Sequence, residues 1–78
     1  MKPVWKPVAE LDYDDSSVAN ACTRAAREWL LQSTRMRSSA HAIRADARGC
    51  LTICVNSRHP HAAALAAFVA GYLAREEA

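Results

Sequence analysis

The sequence predicts a small α+β domain, a two-layer sandwich in (β)-α-β-β-α order whose antiparallel hairpin is covered by two helices. Three observations predict it. Residues 17–36 lack Gly and Pro and repeat apolar side chains at helical spacing. Residues 40–46 and 50–56 both alternate around a Gly-containing turn. Residues 61–75 form a second helical stretch that follows a Pro. A chain of 78 residues holds one domain. At this size folding buries about 60% of the unfolded surface, so stability is marginal and self-association is an inexpensive remedy.

Residues 2–11 read KPVWKPVAEL. Two Pro six positions or fewer apart exclude a central strand, because Pro cannot donate to the ladder. Val4, Trp5, Val8 and Leu11 remain apolar, so residues 1–12 are expected as an extended arm or edge strand anchored by Trp5. Residues 13–78 are then the single α+β domain.

Asp14, Asp15 and Ser16 are good helix caps, and negative charge there suits the helix dipole. On a helical wheel Val18, Cys22, Ala25, Trp29 and Met36 share one stripe, the expected core face. Leu30 flanks it. Arg24, Arg27, Leu31 and Arg35 fall on the opposite side.

Ser38 and Ser39 end the helical pattern. Asp46-Ala47-Arg48-Gly49 suits a type I turn with a left-handed last residue, which makes a G1 bulge. That register places Ala45, Ile43 and His41 opposite Leu51, Ile53 and Val55. All large apolar residues of the hairpin then share one face. The other face carries Ala42, Arg44, Cys50, Thr52 and Cys54, and no aromatic.

His59-Pro60 starts the last helix, with Pro60 at its first position. Leu65, Phe68, Val69, Tyr72 and Leu73 form its core stripe. Its back is Ala63, Ala66, Ala67, Ala70 and Ala74, and no charge occurs between His61 and Arg75. A helix uncharged all round is usually contacted on both sides. Small residues one turn apart let another helix approach closely, and that helix could come from a second copy of the chain.

Composition limits the function. The net charge of +2 permits nucleic-acid binding without arguing for it. An odd set of three Cys suggests reduced thiols in a cytoplasm. The N-terminus has no continuous apolar stretch of the kind a signal peptide needs. No apolar run reaches the ~20 residues of a membrane span.

Cys50-x3-Cys54-x4-His59-x-His61 resembles metal-ligand spacing only superficially. On a strand the two Cys stand about 13 Å apart, whereas zinc holds its ligands at about 2–2.3 Å. Burial on the core face would make Cys22 inert. There is no Gly-rich loop, nucleophile elbow, H-E-x-x-H or paired-carboxylate motif. The expectation is therefore no enzyme, no metal and no cofactor.

The favoured reading is a small non-catalytic protein-binding module. Its contacts would be Arg24, Arg27, Leu31, Arg35, Arg37 and Trp5, and Ala63, Ala66, Ala67, Ala70 and Ala74 would form a homodimer face. Ala- and Arg-rich chains of this size occur among phage and plasmid accessory proteins, including inhibitors of host systems such as anti-CRISPR proteins, which act by steric occlusion. The alternative is a nucleic-acid-binding regulator that sets the arginines of the first helix against phosphates. The cluster Glu10, Asp12, Asp14 and Asp15 is more simply read as helix capping.

Overall fold

The computed structural model describes residues 2–35, 42–48 and 50–77. The element order is strand β1 (Trp5–Leu11), a 3-10 turn (Tyr13–Asp15), helix α1 (Ser16–Thr34), strands β2 (Ile43–Arg48) and β3 (Cys50–Asn56), and helix α2 (Ala62–Glu77). The strands form one antiparallel sheet in the order β1-β3-β2. Pro7 keeps β1 at an edge, and the β-branched, apolar β3 takes the centre, as ladder chemistry requires.

One side of the sheet meets both helices. Ile43 from β2 and Leu51, Ile53 and Val55 from β3 pack with Ala19, Cys22, Ala26 and Leu30 from α1 and Leu65 and Val69 from α2. Val8, Ala9 and Leu11 of β1 extend this core at its margin. The result is the expected two-layer α+β sandwich.

Three details of the expected structure are corrected. The first is the hairpin register. Ile43 faces Val55, Ala45 faces Ile53 and Ala47 faces Leu51. The expected turn is therefore replaced, because Asp46 and Ala47 lie within β2 and Arg48 already pairs with Cys50. The shift is by two residues, so the paired side chains keep their expected faces; Ala42, expected on the outer face, is instead buried in the core beside Ile43. His41 and Gly49 lie outside the described residues.

The second is the phase of α1. Its buried residues are Ala19, Cys22, Thr23, Ala26 and Leu30, while Val18, Ala25 and Trp29 are half-buried. The buried stripe is turned by roughly 90° from the expected one, at 100° per residue. Small residues occupy it because α1 lies close upon the sheet. Trp29 sits at the flank, its ring 5.8 Å from that of Phe68 on α2. Met36 lies outside the described residues.

The third is the start of both helices. No side chain caps α1; Asp15 precedes it, and its N–H donates to the Asp12 carbonyl at 2.9 Å. Residues 57–61 form a turn before α2, so Pro60 lies ahead of the helix and not at its first position. Among the described residues no helix is long and apolar enough to cross a membrane.

Candidate functional site

The outward side of α1 carries Arg24, Glu28, Leu31 and Arg35, all exposed. Leu31 is 51% exposed, an apolar side chain among charged neighbours. Arg35 terminates the helix in the left-handed conformation, with φ 57°, and its N–H bonds the Leu31 carbonyl at 2.9 Å. Glycine is the usual residue for such a cap. Arg37 lies outside the described residues.

Arg27 is not part of this ridge. Its Nη2 donates to the Ile43 carbonyl on β2 at 3.0 Å, and its Nε is enclosed without a hydrogen-bond partner. The turned phase of α1 explains the correction, because it moves Arg27 from the back of the helix to the flank of the buried stripe. Register explains the bond. Asn56 N–H bonds the Ala42 carbonyl at 2.9 Å, which makes 42 and 56 a hydrogen-bonded pair. Ile43 is then a non-hydrogen-bonded position whose carbonyl points away from β3. Arg27 therefore ties α1 to the edge of the sheet.

On α2, Ala63, Ala67, Ala70 and Ala74 are exposed, and Ala66 is half-buried. Gly71 is exposed as well, and a methyl group added there would meet nothing within 4 Å. Ala67, Phe68, Gly71, Tyr72 and Arg75 line an open groove of about 240 Å³. The Phe68 and Tyr72 rings stack at 6.4 Å along it. Four members of the expected dimer face thus lie on one solvent-facing, uncharged side. Ala66, together with Ala63, borders a second hollow, of about 200 Å³, between α2 and β1.

The sheet face away from the helices is the surface that sequence reasoning missed. Trp5 pairs with Asn56 and Pro7 with Cys54, so both point outward. The register then shifts between Pro7 and Ala9, and Ala9 and Leu11 face inward opposite Ile53 and Leu51. Without this bulge Trp5, Ala9 and Leu11 would share one face. With it, Trp5 crosses β3 and meets Arg44 of β2, whose guanidinium carbon lies 4.4 Å from the indole centroid. An aromatic therefore does stand on the outer face, stacked on an arginine.

This pair roofs Cys54 and Asn56, which are only 8% and 9% exposed. Arg44 also reaches Asp46 at 3.6 Å, a half-exposed pair of little energetic weight. Burial pushes the Cys54 thiol above its usual range; Arg44 opposes that shift and Asp46 adds to it. Burial alone raises Cys22. Neither thiol is activated as a nucleophile. Cys50 sits half-buried beside Thr52, with sulfur and hydroxyl 3.4 Å apart. Cys50 and Cys54 lie on one strand and do not converge, and among the described residues no three His, Cys, Asp or Glu side chains gather as metal ligands.

The last cluster joins the chain's start to α2. Asn56 Oδ1 accepts the Val4 and Arg58 N–H groups, each at 3.1 Å. Ser57 N–H donates to the Val4 carbonyl at 2.8 Å. His59 Nδ1 accepts the His61 N–H at 3.1 Å, and its Nε2 is enclosed without a partner.

Compared with protein-family models, curated proteins and solved structures, the chain matches none. The functional argument therefore rests on these surfaces.

Proposed function

We propose that the chain is a small protein-binding module that acts through its surface without catalysis and self-associates through α2. The observation that carries this reading is the solvent-facing side of α2. Ala63, Ala67, Ala70, Gly71 and Ala74 are exposed there, and no charged residue occurs between His61 and Arg75. A side without charges or large side chains permits close helix approach, and a second copy would add apolar burial to a small core. Arg24, Leu31 and Arg35 on α1 and Trp5 on the outer sheet face remain for a heterologous protein partner. Arg and Trp are the residue types that dominate such contacts. Steric occlusion of a target is the mechanism that suits a siteless domain, in the manner of phage- or plasmid-encoded inhibitors of host systems working in the cytoplasm.

Sedimentation equilibrium tests the self-association. The native chain should sediment as a dimer, and Ala67→Arg should sediment as a folded monomer. A native chain that stays monomeric at all concentrations would refute the dimer.

The second reading, a nucleic-acid-binding regulator, draws support from Trp5 stacked on Arg44, since aromatic and guanidinium surfaces accept bases. It predicts binding to a nucleic acid that weakens with salt, by a log–log slope near about −0.9 per phosphate on duplex DNA or about −0.7 on single strands. Absence of binding at low salt excludes it.

A further inference from the structure

We propose that His59 is an acid-operated latch on the entry to α2: the neutral ring closes the turn that leads into the helix, and the protonated ring opens it.

The geometry fixes which form of the ring closes the latch. His59 Nδ1 receives the N–H of His61, two residues on, as an Asn or Asp side chain does when it caps a helix. A nitrogen that accepts cannot carry a proton. The closed state therefore requires the neutral ring with its hydrogen on Nε2. In the imidazolium both nitrogens are donors, so neither orientation of the ring can receive the His61 N–H. Protonation replaces a hydrogen bond with two opposed N–H groups.

The surroundings add to this conflict. Nε2 is enclosed and has no partner, so it gives the imidazolium no acceptor to share its charge with. The ring lies at the amino end of α2, where the helix dipole disfavours a cation. The His61 ring is 5.7 Å away. His61 is the titratable group that acts on His59 through charge, and burial is the larger influence; both hold His59 toward the neutral form. The neighbouring elements offer no relief. β3 has no charged residue, and α2 has none before Arg75. β1 brings Lys6 to the hollow beside the turn, and Arg58 within the turn is exposed. No carboxylate acts on the ring.

Release would spread from the turn to two other features. His59 also accepts the Ala62 N–H through its carbonyl at 3.1 Å and donates its own N–H to the Asn56 carbonyl at 3.0 Å. The same Asn56 and Ser57 hold Val4. The hollow between β1 and α2, lined by Lys6, Val8, Val55, Ala62 and Ala66, has the first turn of α2 as one wall. In acid that wall lifts, and the apolar hollow widens to solvent.

The sign follows from the direction of the shift. A ring held neutral by folding contributes stability above the pKa of an unfolded histidine. That contribution is lost as pH falls through the lower, folded value.

The test is an NMR titration of the full chain labelled with ¹⁵N. Ring nitrogen shifts should report an Nε2–H tautomer for His59 at pH 7.5. Protection of the His61 and Ala62 amides from exchange should fall with the midpoint of the His59 ring. The fall should be about tenfold for each unit separating the closed and opened pKa values. His59→Asn keeps an acceptor that does not titrate, and its protection should be flat with pH. His61→Gln removes the neighbouring charge, and should move the ring midpoint and the protection midpoint upward together. The latch is refuted by an Nδ1–H tautomer at pH 7.5. It is also refuted if amide protection in the native chain ignores the ring titration, or if His61→Gln shifts one midpoint without the other.

Discussion

Replacing Arg27 with alanine separates a structural arginine from its exposed neighbours on α1. The side chain donates to the Ile43 carbonyl at 3.0 Å, and that carbonyl points off the sheet edge. A hydrogen bond from a charged donor contributes about 1.5–3 kcal/mol. Removing the guanidinium also removes an enclosed, partnerless Nε, which offsets part of the loss. The net cost should be about 2 kcal/mol, against a total of roughly 4–12 kcal/mol for a domain of this length. With a urea m-value of about 1 kcal/mol per molar, the unfolding midpoint should drop by about 2 M. Arg24→Ala, at an exposed position one turn away, should stay within about 0.5 kcal/mol of the native chain. Urea unfolding followed by tryptophan fluorescence reads both variants. If Arg27→Ala and Arg24→Ala behave alike, the bond to Ile43 contributes nothing and Arg27 returns to the surface ridge. The comparison also bears on any binding assay, because loss of binding in Arg27 variants would report a loosened fold, whereas loss in Arg24 variants would report the surface.

Other expectations follow the same logic. Arg35→Gly relieves a left-handed residue at the end of α1 and should stabilise the chain by roughly 1 kcal/mol while deleting a candidate contact; thermal unfolding measures the first effect and partner binding the second. Gly71→Ala should add about 0.5–1 kcal/mol to helix stability, since the new methyl meets nothing in the same chain. If α2 faces a second copy, the same methyl should weaken the dimer in sedimentation. Maleimide should label Cys50 first, with Cys22 and Cys54 slower and still accelerating as pH rises past the ordinary thiol range, because burial raises both. Trp5→Ala unroofs Cys54 and should speed its labelling without changing that of Cys22.

What the sequence conveyed depended on which physical constraint spoke locally. The faces of the hairpin were legible because alternation has period two, and a register error of two residues leaves the paired faces unchanged. The turn itself was not legible: Asp46 and Gly49 have strong turn chemistry, but pairing of Asp46 with Thr52 and Ala47 with Leu51 extends the ladder and prevails. The phase of α1 was misread because the wheel was centred on Val18 and Trp29, which are only half-buried. Close approach to a sheet keeps Cys22, brings in Ala19 and Ala26, and puts the largest ring at the flank. Arg27 looked like its neighbours, since a bond to the edge of β2 has no signature in the helix sequence. Trp5 was recognised as an anchor, but its destination depended on a bulge just after Pro7. Four of the five expected α2 face residues are exposed, because a charge-free helix betrays its outward side by its small residues.

The sheet order has a consequence for how the chain assembles. β2 and β3 are neighbours in sequence and can zip together early. β1 must find the other edge of β3 across 40 to 51 residues, from Leu11–Leu51 to Trp5–Asn56. Loop closure makes such long-range pairing slow, and local contacts come first. β1 also carries Pro7 and the bulge, both of which interrupt its ladder. It should be the last strand to dock and the first to peel away. Each excursion bares one edge of the most apolar strand in the sheet, and a β1 from another copy can fill that slot as well as the chain's own. Concentrated refolding should therefore yield strand-exchanged dimers, held by a joint unrelated to α2.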